Sequence, residues 1–161
     1  MFLLSVKMKG KHLPVALVIA GITCVIIGFV LSNQLQISKE RFGIYLSEND
    51  ELVISDKDIV SYNKTSHEIK LNEEGIEKIK ALKVHVSGSP FVIKLNGKEI
   101  YNGSFWTPIS SKPYSGIVIL IQDNTIKIET GYPSSEFFEG IDPRNNSEIF
   151  DYFQKVGKLT Q

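Results

Sequence analysis

The segment FVIKLNGKEI, Phe91 to Ile100, decides how the rest of the chain reads. Asn96-Gly97 lies between two apolar runs. A two-residue type I′ turn needs positive φ at both central positions, which Asn and Gly adopt at little cost. Such a turn fixes the register, with Leu95 opposite Lys98, Lys94 opposite Glu99 and Ile93 opposite Ile100. Lys94 and Glu99 then pair on one face, and Phe91, Ile93, Leu95 and Ile100 share the other. A second hairpin is expected at Asp123-Asn124, where Ile117, Ile119 and Ile121 face Ile126 and Ile128. One apolar and one half-polar face per hairpin predicts an antiparallel sheet covered on one face by helices.

Working outward, Phe42 to Ser47 and Leu52 to Ile54 read as strands, Ser55 to Asp58 as a turn or single helical turn, and Thr65 to Leu71 as a further strand. Asn72 has the chemistry of a helix N-cap, its side-chain oxygen accepting from an orphan amide of the first turn. Glu73 and Glu74 sit at the positive end of the helix dipole, and Leu71 and Ile76 have the spacing of a hydrophobic staple. Ile76, Ile79 and Leu82 make the apolar stripe of this helix, with Glu77, Lys78 and Lys80 on its wet side. Asp142-Pro143 is expected to open a last helix, with Ile149, Phe150, Phe153 and Val156 as its buried stripe and Gly157 as its stop. The expected class is α+β.

The N-terminal part reads differently. LPVALVIAGITCVIIGFVLS, Leu13 to Ser32, carries no charge over a length that matches the hydrocarbon core of a bilayer. All eighteen acids lie at Glu40 or later, whereas Lys7, Lys9 and Lys11 precede the apolar run. That bias predicts a cytoplasmic N-terminus (1–12), a transmembrane helix (13–32), a connector (33–41) and an extracytoplasmic domain (42–161), at the cell membrane with lipid as a partner. Val30-Leu31-Ser32 is a weak cleavage site, so a removed signal peptide is the alternative. Ala16, Ala20, Cys24 and Gly28 recur every fourth residue, either as a close-packing stripe for a homodimer or as small residues common in such helices. Without the three lysines, fifteen basic residues face eighteen acids. That balance argues against nucleic acid, whose binding needs a basic face.

LNEEGIEKIKAL (Leu71 to Leu82), then FVIKLNGKEIYNG (Phe91 to Gly103), then a proline-containing loop and SGIVI resembles the extracytoplasmic head of SecD, a protein-export accessory subunit. The matching positions are Leu71, Asn72, Glu74, Gly75, the strand Phe91 to Leu95, Asn96-Gly97, Lys98 to Tyr101 and Gly116, with VGKL at Val156 to Leu159 resembling the closing helix. The resemblance implies the fold of that head and a habit of contacting polypeptides. It does not imply a pump, because the apolar stretch holds no ionisable residue for a proton relay.

Few residues point to chemistry. His12, His67 and His85 are scattered and the lone Cys24 lies in the apolar run, so neither a metal nor a cofactor is expected. Ser61-Tyr62-Asn63-Lys64 has the Ser-x-x-Lys spacing of penicillin-binding proteins but lacks their other elements at the required separations. Asp56/Asp58 and Glu136/Glu139 are read as solvated turn acids. Asparagine sequons begin at Asn63, Asn102 and Asn145. The candidate site is the Ser104–Gly116 loop, where Phe105, Trp106 and Tyr114 form either an aromatic platform for a peptide or glycan or a cap folded back on the sheet. Phe137 and Phe138 are a second candidate. The leading expectation is a membrane-tethered, non-enzymatic binding or accessory module of the cell envelope that engages protein or peptide. A structural or assembly subunit of a larger membrane complex is the alternative, and an envelope hydrolase the third reading.

Overall fold

The computed structural model describes residues 41–122 and 124–161. The elements run β1 (Phe42–Leu46), β2 (Leu52–Ser55), β3 (Ile59–Asn63), β4 (Glu68–Leu71), α1 (Glu73–Ala81), β5 (Ser89–Leu95), β6 (Lys98–Trp106), β7 (Tyr114–Gln122), β8 (Thr125–Tyr132), a 3₁₀ turn (Ser135–Phe137), α2 (Ser147–Lys155) and β9 (Leu159–Thr160). All nine strands belong to one sheet in the order β2-β1-β5-β6-β7-β8-β4-β3-β9.

The order forces curvature. β2 is first and β3 eighth, so a flat sheet would separate them by about 34 Å at about 4.8 Å per strand. Yet only Asp56, Lys57 and Asp58 link them, a connection that reaches at most about 14 Å. The sheet therefore curls until its ends approach, and the concave side becomes the core. Phe42, Ile44, Phe91, Ile93, Phe105, Ile119, Ile126 and Ile128 are buried there. α2 fills the curl: Phe153 meets Phe42 at 4.9 Å and Tyr62 at 5.1 Å between ring centroids. α1 packs against β2 and β4. Its cap is as read from the sequence, with Gly75 N donating to Asn72 Oδ1 at 2.8 Å.

The expected antiparallel sheet covered on one face by two helices is corrected to a mixed sheet. β6 pairs with β7 in parallel (Ser104↔Val118, Phe105↔Ile119, Trp106↔Leu120), and β3 pairs with β9 in parallel. Gly103 permits the first junction, because a Cβ there would lie 2.2 Å from the Ile117 carbonyl oxygen. Local patterns carry no record of such non-local pairings.

Smaller corrections have physical causes. The Asn96-Gly97 hairpin pairs Leu95 with Lys98 and Lys94 with Glu99, but a bulge then puts Tyr101 opposite Ile93 and leaves Ile100 over. Lys94 bonds Asp50 instead of Glu99. Residues 65–67, expected in a strand, belong to a turn. β3, to which the sequence pattern assigns no element, is a strand. The last helix begins at Ser147, capped by Asn146 accepting from Ile149 N, and not at Asp142-Pro143. Asp58, expected in solvent, is buried: its carboxylate accepts from Ser55 N at 2.7 Å, Ser55 Oγ at 2.8 Å and Lys78 Nζ at 2.8 Å.

The membrane-span expectation is also corrected. Among the described residues no helix is long and apolar enough to cross a membrane. The stretch 13–32 and the stripe Ala16, Ala20, Cys24 and Gly28 lie outside the described residues.

Candidate functional site

The aromatic loop closes in on itself. β6 runs through Trp106, so the loop is only residues 107–113. Phe105 is fully buried and Trp106 is 4 % exposed, while Tyr114 is half-buried. The Trp106 ring stacks on Tyr114 at 5.0 Å and meets Tyr132 at 5.9 Å. Phe105 packs against Phe91 at 5.4 Å. The Tyr132 hydroxyl donates to the Pro108 carbonyl at 2.9 Å and ties the loop down. The exposed platform expected at Phe105 and Trp106 is therefore not observed. Phe137 is partly exposed and Phe138 half-buried.

A different place collects polar groups. An open groove of about 890 Å³ lies between the β3–β4 turn, the end of β8 and the segment 133–145, lined by Lys64, His67, Lys127, Glu129, Thr130 and Arg144 among others. Its construction starts at Asn63. The Asn63 Oδ1 accepts from the amides of Thr65 and Ser66, both at 2.9 Å, which winds the chain out of β3. His67 then returns it to β4 through a left-handed backbone, φ 54°, a conformation in which His is enriched over most side chains.

His67 is 5 % exposed, and its Nδ1 lies 2.9 Å from the Tyr62 hydroxyl. Tyr62 is itself buried, and burial raises its pKa, so the hydroxyl keeps its proton. Were Nδ1 the donor, that buried O–H would be left without an acceptor; the hydroxyl therefore donates and the ring proton sits on Nε2. Burial, reinforced by the Arg144 charge and opposed by Asp142, holds the imidazole pKa below its ordinary value.

Arg144 pins the opposite wall. Its Nε donates to Asp142 Oδ1 at 2.9 Å, Nη2 to Asp142 Oδ2 at 2.7 Å and Nη1 to the Ile128 carbonyl at 2.9 Å. These charge-assisted bonds hold the Asp142 carboxyl below its usual range against the opposing effect of burial. Lys127 pairs with Glu129 along β8. Lys64 is half-buried and has no carboxylate partner among the described residues.

The remaining sequence candidates do not converge. His85 is exposed, far along the chain from His67, and His12 lies outside the described residues. Among the described residues no group of three His, Cys, Asp or Glu side chains is placed to hold a metal. Ser61 to Asn63 lie on β3, not at a helix start. The Asn63 side chain is engaged at both ends, its Nδ2 donating to the Gln161 carbonyl, whereas Asn102 and Asn145 are exposed. The sequence scatters its histidines and marks Asp142 as a helix start; the usable signal is Asn63, a turn former just ahead of the stretch Thr65 to Leu71 that reads as strand.

No family model, curated protein or solved structure matches this chain. Nothing in those comparisons bears on the resemblance to the SecD head.

Proposed function

We propose that this domain is a non-enzymatic binding module that takes a segment of another polypeptide in the groove beside His67. The observation that carries the reading is the lining of that groove. Sites for small apolar molecules are concave and mostly apolar, whereas this one is open and walled by Lys64, Lys127, Glu129, Thr130, Asp142 and Arg144. Such a surface favours a ligand that brings its own donors and acceptors along its length. A polypeptide does so at every residue. A hydrolase reading has less support, since the His67 Nδ1 that would accept a nucleophile's proton already accepts from Tyr62.

The test is capture of peptides from a nonapeptide array by the full-length chain, repeated with Ser135→Trp. Ser135 is exposed on the groove wall, and an indole there narrows the groove. Capture by the unaltered chain and its loss in Ser135→Trp is the expected result. No capture, or capture indifferent to the indole, overturns the reading.

A further inference from the structure

The way β8 outlasts its neighbour says how a polypeptide would be held. Ile128 N donates to the His67 carbonyl at 3.0 Å, so the backbone groups of Ile128 face β4. Backbone groups of a strand alternate sides with a period of two, so the N–H and C=O of Thr130 face the same way. The opposite side of β8 is occupied by β7, through the pairs Ile119↔Ile128 and Val118↔Glu129.

β4 cannot serve Thr130. It starts at Glu68, and its ladder with β8 covers Glu68↔Lys127, Ile69↔Ile126 and Lys70↔Thr125. Continued in line, the ladder would set Thr65 against Thr130, but the Thr65 amide has turned to Asn63 Oδ1. The left-handed backbone of His67 ends the ladder one residue early, and Arg144 Nη1 takes the Ile128 carbonyl in place of a strand amide. Beyond it the Thr130 donor and acceptor face the groove with no partner among the described residues. An unpaired strand edge is a template for another chain.

We propose that Thr130 is the anchor for an extended segment of a partner polypeptide, which adds to β8 as a short strand in the place β4 vacates and carries an acidic side chain toward Lys64. This rests on the binding-groove reading above. A polypeptide backbone presents a donor and an acceptor side by side at strand spacing, which is why strand addition takes its affinity from the main chain and its selectivity from neighbouring side chains. The acidic preference follows from charge: Lys127 and Arg144 are already neutralised by Glu129 and Asp142, and Lys64 is not.

The test uses fluorescein-labelled nonapeptide pools, randomised except for a central Glu or a central Lys, and a central-Glu pool N-methylated at alternate residues. Polarisation is read with the full-length chain, Thr130→Pro, Lys64→Gln and Ser135→Trp. Strand addition predicts that Thr130→Pro, which deletes the groove-facing N–H, binds about tenfold more weakly. N-methylation should abolish binding, a result independent of whether the proline variant folds. Lys64→Gln should remove the advantage of the central-Glu pool. Equal binding of methylated and unmethylated pools, with Ser135→Trp still blocking both, overturns strand addition and leaves the groove reading standing. Binding indifferent to Ser135→Trp, or absent from every pool, overturns both. Equal binding of Glu and Lys pools overturns the acidic preference alone.

Discussion

The aromatic corner at Trp106 and the groove at His67 make an instructive pair. Trp106, Tyr114 and Tyr132 are large rings on neighbouring strands, and folding uses their surfaces on one another. The groove carries one half-buried phenyl ring, Phe150, among mostly polar walls. It exists because β4 stops, His67 turns the chain aside and Thr130 is left facing open space. Conspicuous side chains thus became core, while the candidate site arose from backbone groups left over where two strands differ in length. Rings offer area that a core also wants; an unpaired amide is something a core must avoid.

The sharpest way to break this contrast is Trp106→Ala. As a core ring it should cost about 3–5 kcal/mol, read as a loss of chemical-denaturation midpoint, with peptide capture lost only where the chain unfolds. A stable variant that no longer captures peptide would return the site to the aromatic corner. Arg144→Ala comes next. It removes the bidentate pair with Asp142 and frees the Ile128 carbonyl, and about 2–3 kcal/mol should be lost. Because the groove wall is then unpinned, capture should fall even where the protein is folded; unchanged capture would detach Arg144 from the site.

Gly97→Val tests a turn with no site attached. Gly97 has φ 78° and open space around its missing Cβ, so the substitution is a pure backbone cost of about 1–3 kcal/mol. Thermal melting should show it and peptide capture should not. The smallest effect is that of pH. His67 has a folded pKa below its unfolded value, so its contribution is complete above about pH 6.5 and is lost as pH falls through the folded value. Melting temperature should therefore begin to decline below about 6.5. In His67→Asn, which tolerates the same positive φ, that first decline should vanish. The later one, below about pH 4 and due to Asp58 and Asp142, should persist. A first decline of equal size in both proteins would assign it elsewhere.

These contrasts mark how far a sequence can be read. The α1 cap at Asn72, the Asn96-Gly97 turn and the pairing of β7 with β8 were legible because each is set by residues a few positions apart. β7 and β8 pair as expected, with Ile121 against Ile126 and Ile119 against Ile128, while Asp123 between them lies outside the described residues. The parallel junction of β6 with β7 and the curl of the sheet were not, since they depend on which strands meet after long separations. The site failed for the same reason. Thr130 is unremarkable in a strand of alternating polarity, and becomes a candidate anchor only when β4 is found to end at Glu68. Asp142 and Arg144 flank a proline that looked like a helix start, but Asn146 supplied the better cap four residues on.

The parallel pairing of β3 with β9 has a consequence for the chain as it is made. Tyr62 and Thr160 share a hydrogen bond across 98 residues of sequence, and Lys158 and Tyr152 reach back in the same way to Asp56. At synthesis rates of about 5–20 residues per second, β3 waits roughly 5–20 s on the ribosome for its last neighbour. During that interval α2 is missing from the curl and Tyr62 and Phe42 lack the ring that covers them. The domain is therefore completed only when α2 and β9 have been made, and a ribosome stalled before Ser147 leaves an open sheet with its core in water.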